Sequence, residues 1–191
     1  MQQEFLSKKE LRSFKRYTHG GMSLKKRRKI KRPLIPGRTT HVVLKSSKAV
    51  GRLSFYQHKI MIHRLLRERA KRFFIEVQDF VNMGNHLHIK VKFKDPTHFH
   101  NFLRTFSGLL ARKLNNSHRG SRLGHKFWDG LAYTRVLMSR FEEWGLRIYF
   151  SGNQIERDLG PKERREYLKQ WNQYLYRLKA VRAVKIYSSD Q

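Results

Sequence analysis

Asn85-His86-Leu87-His88-Ile89-Lys90-Val91 is the stretch on which the reading of this chain turns. Polar and apolar residues alternate through it. Successive side chains of an extended strand point to opposite faces, so His86 and His88 share one face. Leu87, Ile89, Val91 and Phe93 share the other. Such a strand offers an apolar row to a core and an imidazole pair to its second side. Neutral imidazole is a common metal ligand, and two of them at this spacing can hold one divalent cation.

The flanking sequence supplies the partners of that strand. Asn82-Met83-Gly84-Asn85 reads as a turn, and Phe73 to Val81 as the preceding strand, with Ile75, Val77 and Val81 on one face. His41-Val42-Val43-Leu44-Lys45 reads as a first strand. Between them, Ser54 is the expected N-cap of a helix running to about Arg72, with Ile62, Leu65, Leu66 and Ala70 as its stripe. Asp95-Pro96-Thr97 opens a second helix, with Pro in the first turn. Its stripe is Phe99, Phe102, Leu103, Phe106, Leu110 and Leu114. Ala132 to Met138 reads as a fourth strand. Helices follow from Arg140 to Arg157 and beyond Gly160-Pro161, the last carrying Tyr167, Trp171, Tyr174, Leu175 and Leu178.

The succession is β-α-β-β-α-β, which predicts an α+β fold: a ferredoxin-like antiparallel sheet with two helices on one face. Extra C-terminal helices and a basic N-terminal arm complete it. The expected divisions are 1–38 for a flexible arm, 39–158 for the main domain and 159–191 for a C-terminal helix and tail. The apolar side of the histidine strand must meet the striped helices, so its histidine side is expected to be the open face.

Charge selects the class of partner. The 191 residues hold 43 Lys and Arg against 14 Asp and Glu, a net charge of +29. That excess repels itself in a compact chain unless a polyanion neutralises it, and nucleic acid is the default polyanion. No apolar run reaches the roughly 18 residues that span a bilayer. There are no cysteines, which excludes disulfides, thiolate catalysis and Cys-type zinc sites. The N-terminus shows no secretory apolar region, so a cytoplasmic, nucleoid-associated protein is expected. Lys25, Lys26, Arg27, Arg28, Lys29, Lys31 and Arg32 make the dense part of the arm. A second basic segment holds Arg112, Lys113, Arg119, Arg122 and Lys126. Both are expected to follow phosphates.

The phrase Asn82-Met83-Gly84-Asn85-His86-Leu87-His88, the Phe127-Trp128 corner, Tyr133-Thr134-Arg135-Val136 and the later tyrosine helix together resemble a known family. They resemble the HUH superfamily of single-tyrosine transposases, and within it the REP-associated tyrosine transposases (RAYT). The resemblance runs from about Thr40 to Ile155. It implies a metal-dependent single-stranded DNA endonuclease and strand transferase, recognising a DNA hairpin as a monomer or homodimer. In that family two histidines and an amide hold Mg²⁺ or Mn²⁺, and a tyrosine attacks the phosphate to form a 5′-phosphotyrosine. Carried onto this chain, His86 and His88 are the imidazole ligands and Tyr149 the nucleophile.

Tyr149 and Asn153 are i, i+4 on one helix and lie on the flank of a face made by Phe141, Gly145, Ile148, Gly152 and Ile155. The family's nucleophile and amide ligand have the same spacing, which makes Asn153 the third ligand. Where REP-associated members commonly have Asn-Pro, this chain has Asn153-Gln154, so Gln154 stands as the alternative. Glu142 and Glu156 are further candidates for handling a metal or a proton.

Blander readings compete. His98 and His100 have the same spacing as His86 and His88 but start a helix, where i and i+2 diverge, and are expected not to ligate. Tyr133, on a strand, is expected to be structural. A non-catalytic binder of structured RNA or DNA uses the same sheet, arm and aromatic residues. A metal nuclease that activates water leaves no covalent adduct.

Overall fold

The structure is a computed structural model, and it describes residues 16–21, 31–117 and 126–159, with 163, 166 and 170 as isolated positions. The chain divides into two compact units, residues 1–146 and 147–191. The expected helix beyond Gly160-Pro161 lies outside the described residues.

The first unit is built on a five-stranded antiparallel sheet. Its strands are β1 (Thr18–His19), β2 (Thr40–Lys45), β3 (Glu76–Asn82), β4 (His86–Lys92) and β5 (Tyr133–Val136), in the order β1-β5-β2-β4-β3. Helices α1 (Lys59–Arg72) and α2 (Pro96–Leu114) fall between β2 and β3 and between β4 and β5, giving the expected α+β succession. Helix α3 (Arg140–Asp158) begins in the first unit and runs into the second.

One face of the sheet makes the core. Val42 and Leu44 of β2 and Leu87, Ile89 and Val91 of β4 are all at most 3% exposed. They meet the predicted stripes: Ile62, Leu65, Leu66 and Ala70 of α1, and Phe99, Phe102, Phe106 and Leu110 of α2. Helical periodicity on one side and strand alternation on the other thus bury a common set. Asp95 caps α2 by accepting from the Thr97 N–H at 2.7 Å, with Pro96 in the first turn.

Four details differ from the sequence expectation. Two residues within the arm, Thr18–His19, form the edge strand beside β5. Gly20 follows with φ +83, and a Cβ there would collide with the Ala132 carbonyl, so a glycine ends this strand. Ser54 is not the cap of α1. The helix starts at Lys59, with His58 at the N-cap position and no side-chain cap. Ser54 instead lies against the hairpin turn, its hydroxyl donating to the Gly84 carbonyl at 3.4 Å. Around it, the Phe55 N–H donates to the Gly84 carbonyl at 2.7 Å and the Asn82 amide to the Phe55 carbonyl at 2.9 Å. The turn that delivers the histidines is therefore fastened to a buried Phe55.

The third difference is in β3. Val77 opposes Val91, but a register shift follows, and Phe80 then opposes Ile89 while Val81 opposes His88. A bulged residue reverses the alternation, so Val77 and Val81 end on opposite faces. The fourth is in α3. Phe141 and Ile155 of its predicted apolar face are each 47% exposed, while Leu146, Phe150, Gly152 and Asn153 are the buried positions among the described residues. The predicted face contains two glycines and offers less apolar surface than Leu146 and Phe150.

Candidate active site

The histidine side of the sheet is set by strand register. His86 opposes Lys45 and His88 opposes Val43 across the β2–β4 ladder, while His41 opposes Lys90. Residues directly opposite in a ladder share a face, so His41, His86, His88 and Lys90 project together. Tyr133 and Arg135 join them from β5, opposite Val43 and His41.

This face is not open at its centre, contrary to expectation. His88 is 4% and His41 8% exposed. The two rings stack at 5.3 Å with an 18° interplanar angle, and His41 Nε2 lies 3.0 Å from His88 Nδ1. The His86 ring stands nearly perpendicular to His88 at 4.8 Å. Tyr133 presents its edge to His41 at 6.2 Å. An imidazole row supported from two strands therefore fills the face that the sequence left bare.

Hydrogen bonding and protonation have direct chemical consequences here. Burial first, then the charge of Arg135, pushes His41 down to about 4. Burial first, then His41 and His86, pushes His88 down to about 3. Both rings are neutral at pH 7, as metal ligation requires. His86 Nδ1 lies 2.6 Å from Asn85 Oδ1, an acceptor, so this nitrogen carries the proton and, in the neutral ring, Nε2 is the unprotonated one. In the His41–His88 contact, one nitrogen must donate. With the proton on His88 Nδ1 and His41 Nε2 accepting, His88 also keeps its lone pair on Nε2. Both residues then match the usual pattern of a metal-binding histidine, whose second nitrogen donates to a fixed acceptor.

Two imidazoles of this kind fit a divalent cation, but they do not complete a site. Among the described residues, no three His, Asp or Glu side chains come together to hold a metal. A cation held here would need a further ligand of another chemical type, such as a side-chain amide. Asn153, in the second unit, is 7% exposed, and its buried Nδ2 has no hydrogen-bond partner among the described residues. Gln154 beside it is exposed. Tyr149 is 42% exposed and lies 6.4 Å from the Phe150 ring.

Other candidates are placed differently. Glu142 accepts from Arg135 at 2.7 Å and from the Met138 N–H at 2.5 Å, so its carboxylate is committed to the start of α3. The Glu156 side chain lies outside the described residues. His98 lies 4.0 Å from the Asp95 carboxylate at the start of α2, apart from the histidine row. Lys25, Lys26, Arg27, Arg28, Lys29, Arg119 and Arg122 lie outside the described residues. Arg112 and Lys113 sit in the last turn of α2, where cations also complement the helix dipole. Arg32 donates to the Ala132 carbonyl at 3.1 Å and to Thr134 Oγ1 at 2.9 Å.

Two residues of the row were not anticipated. Lys90 extends the alternation of His86 and His88, is 7% exposed, and has no ion pair among the described residues. Its place was legible in the alternation itself. His41 required the β2–β4 register, which no local pattern carries.

No protein-family model matches the chain, and no curated protein matches it. Solved structures do. A REP-associated tyrosine transposase bound to a REP hairpin aligns with a TM-score of 0.50 at 12% identity, over 68% of this chain and 73% of that one. The fold is like that of this transposase. A candidate transposase from Deinococcus radiodurans R1 aligns at a TM-score of 0.39 and 15% identity, over 66% of this chain and 98% of that one. At these identities the transposase likeness is one of fold. Among the described residues, no helix is long and apolar enough to cross a membrane.

Proposed function

We propose that the protein is a metal-dependent endonuclease and strand transferase acting on single-stranded DNA beside a hairpin. The observation that supports this reading is the pair of Nδ1 contacts, His86 to Asn85 and His88 to His41, which orient two imidazoles on one face of the sheet. His86 and His88 hold Mg²⁺ or Mn²⁺, with Asn153 as the amide ligand and Gln154 as the alternative. A divalent cation held there would supply polarisation of the scissile phosphate and offset the charge that develops on it. Lys90, a buried cation on the same face, adds to that positive field.

Tyr149 is the nucleophile. Its hydroxyl oxygen bonds to phosphorus as the phosphorus–O3′ bond breaks. The phenolic proton is lost and the departing 3′ oxygen gains one, leaving a 5′-phosphotyrosine and a free 3′-hydroxyl. A later 3′-hydroxyl reverses the exchange, so rejoining needs no nucleotide cofactor. The REP hairpin bound by the transposase of like fold, together with the net charge of +29, supports a DNA hairpin as partner.

A second reading, a non-catalytic binder of structured RNA or DNA, is favoured by the burial of His88 and its stacking on His41, an arrangement that also suits a packed core. Covalent chemistry separates the two. End-labelled single-stranded hairpin DNAs are incubated with the protein and Mg²⁺ or Mn²⁺ and run on a denaturing gel. The expected result is a protein–DNA adduct that Tyr149→Phe, His86→Ala and a chelator each abolish. An adduct that survives Tyr149→Phe overturns the assigned nucleophile. Cleavage without an adduct indicates a water nuclease, and tight binding without cleavage indicates the non-catalytic binder.

A further inference from the structure

A cavity of about 560 Å³ opens on the helix side of the sheet, between α2, Arg32 and the segment 126–132. Its wall is divided chemically. Leu103, Trp128 and Leu131 give apolar surface, and Arg32, Arg104 and Lys126 bring three cations. Among the described residues, no Asp or Glu lines it. Arg32 is partly buried and has no ion pair among the described residues, and burial lowers its pKa to about 10. A sequestered cation with no anion beside it is costly unless a ligand supplies the charge. The charges of Arg32 and Lys31 also lower the pKa of His100 on the cavity wall, behind the effect of burial.

The space is kept open in two ways. The Trp128 indole donates to the Ser107 carbonyl at 3.1 Å, which fixes the ring at the cavity edge. Gly108 lies in the interior of α2, where glycine is a poor helix former, and a Cβ there would meet nothing within 4 Å. Leu44 of β2 lines the cavity, and the next residue, Lys45, opposes His86 on the other face. The cavity and the start of the histidine row therefore lie on opposite faces at the same end of the β2–β4 ladder.

We propose that this cavity is a subsite for one unstacked nucleotide of the bound strand, the base against Trp128 and Leu131 and its phosphate on Arg32, Arg104 and Lys126. The proposal rests on the nucleic-acid reading above and deepens it. The volume falls within the range of small-molecule pockets. Apolar and aromatic walls take a base of any sequence, and cations take the backbone. A free mononucleotide shares this chemistry, and the test distinguishes the two.

The experiment uses the full chain with hairpin oligonucleotides that carry 2-aminopurine at successive unpaired positions beside the stem. Fluorescence is expected to rise several-fold at one position only, as that base leaves its stacked neighbours. Gly108→Leu fills the cavity, and is expected to abolish the rise and weaken binding about five- to hundredfold. Arg104→Gln changes an exposed side chain and leaves the fold intact. It is expected to weaken binding and to reduce the salt dependence by about one phosphate contact. Circular dichroism checks both variants, and Arg104→Gln serves alone where Gly108→Leu does not fold. Binding with no position-specific rise, or a rise that persists in both variants, overturns the subsite and leaves the DNA reading in place. Failure to bind any oligonucleotide overturns both. Binding of 2-aminopurine deoxyribonucleoside monophosphate as tight as that of the oligonucleotide overturns the strand assignment in favour of a free nucleotide.

Discussion

His41→Phe tests the imidazole row most directly. The replacement keeps an aromatic ring of similar size beside Tyr133 and removes the nitrogen that lies 3.0 Å from His88 Nδ1. His88 then has two courses. If the proton stays on Nδ1, a buried donor loses its acceptor, at a cost of about 1–3 kcal/mol. For a chain of this length, about 2–4 °C of melting temperature accompanies each kcal/mol, so the loss is about 2–12 °C. If the proton moves to Nε2, stability recovers in part, but the lone pair needed for ligation is gone. Removing such a supporting partner typically lowers metal affinity about 10–100-fold, or about 1.4–2.7 kcal/mol. Calorimetric titration with Mn²⁺ reads the affinity, and thermal denaturation with and without Mn²⁺ reads the stability. His41→Gln, which restores an acceptor, is expected to recover part of both. A His41→Phe protein that binds Mn²⁺ as tightly as the native chain refutes the assignment of His41 as the residue that sets the His88 tautomer.

Other perturbations probe the scaffold. Gly84 holds φ +82 in the hairpin turn, and a Cβ there would stand 2.7 Å from the Tyr56 ring. Gly84→Ala is expected to cost about 1–2 kcal/mol in backbone strain alone, and Tyr56→Ala in the same chain relieves only the added clash in denaturant unfolding. Phe106 is fully buried and stacks on Phe102 at 5.8 Å, so Phe106→Ala is expected to lose about 3–5 kcal/mol, and a melting temperature within 2 °C of native contradicts its place in the core. Burial raises the Tyr133 pKa, with Arg135 opposing the shift. Because the folded value is the higher one, the neutral phenol contributes stability below about 10, and that contribution is lost as pH rises through the folded value. The ultraviolet difference titration between native protein and Tyr133→Phe is expected to show one phenol ionising above 10, and an ordinary value there removes the burial argument.

The sequence alone determined the parts governed by local repetition and by charge. Strand alternation placed Leu87, Ile89 and Val91 against the core and joined His86 to His88, because side chains reverse with every residue of a strand. The stripes of α1 and α2 were legible for the corresponding helical reason. A net charge of +29 was enough to name a polyanion as partner. The tertiary structure decided everything that depends on which strand lies beside which. His41 is forty-seven residues from His88 in the chain and reaches it only through the β2–β4 register. The bulge in β3 sent Val81 to the histidine side, since one extra residue reverses the alternation that local pattern assumes. In α3 the large buried side chains are Leu146 and Phe150, outside the predicted stripe, whose Phe141 and Ile155 are exposed. Periodicity states which residues share a face, and long-range pairing states what that face meets. The chemistry of the imidazole row arises at the second of these levels.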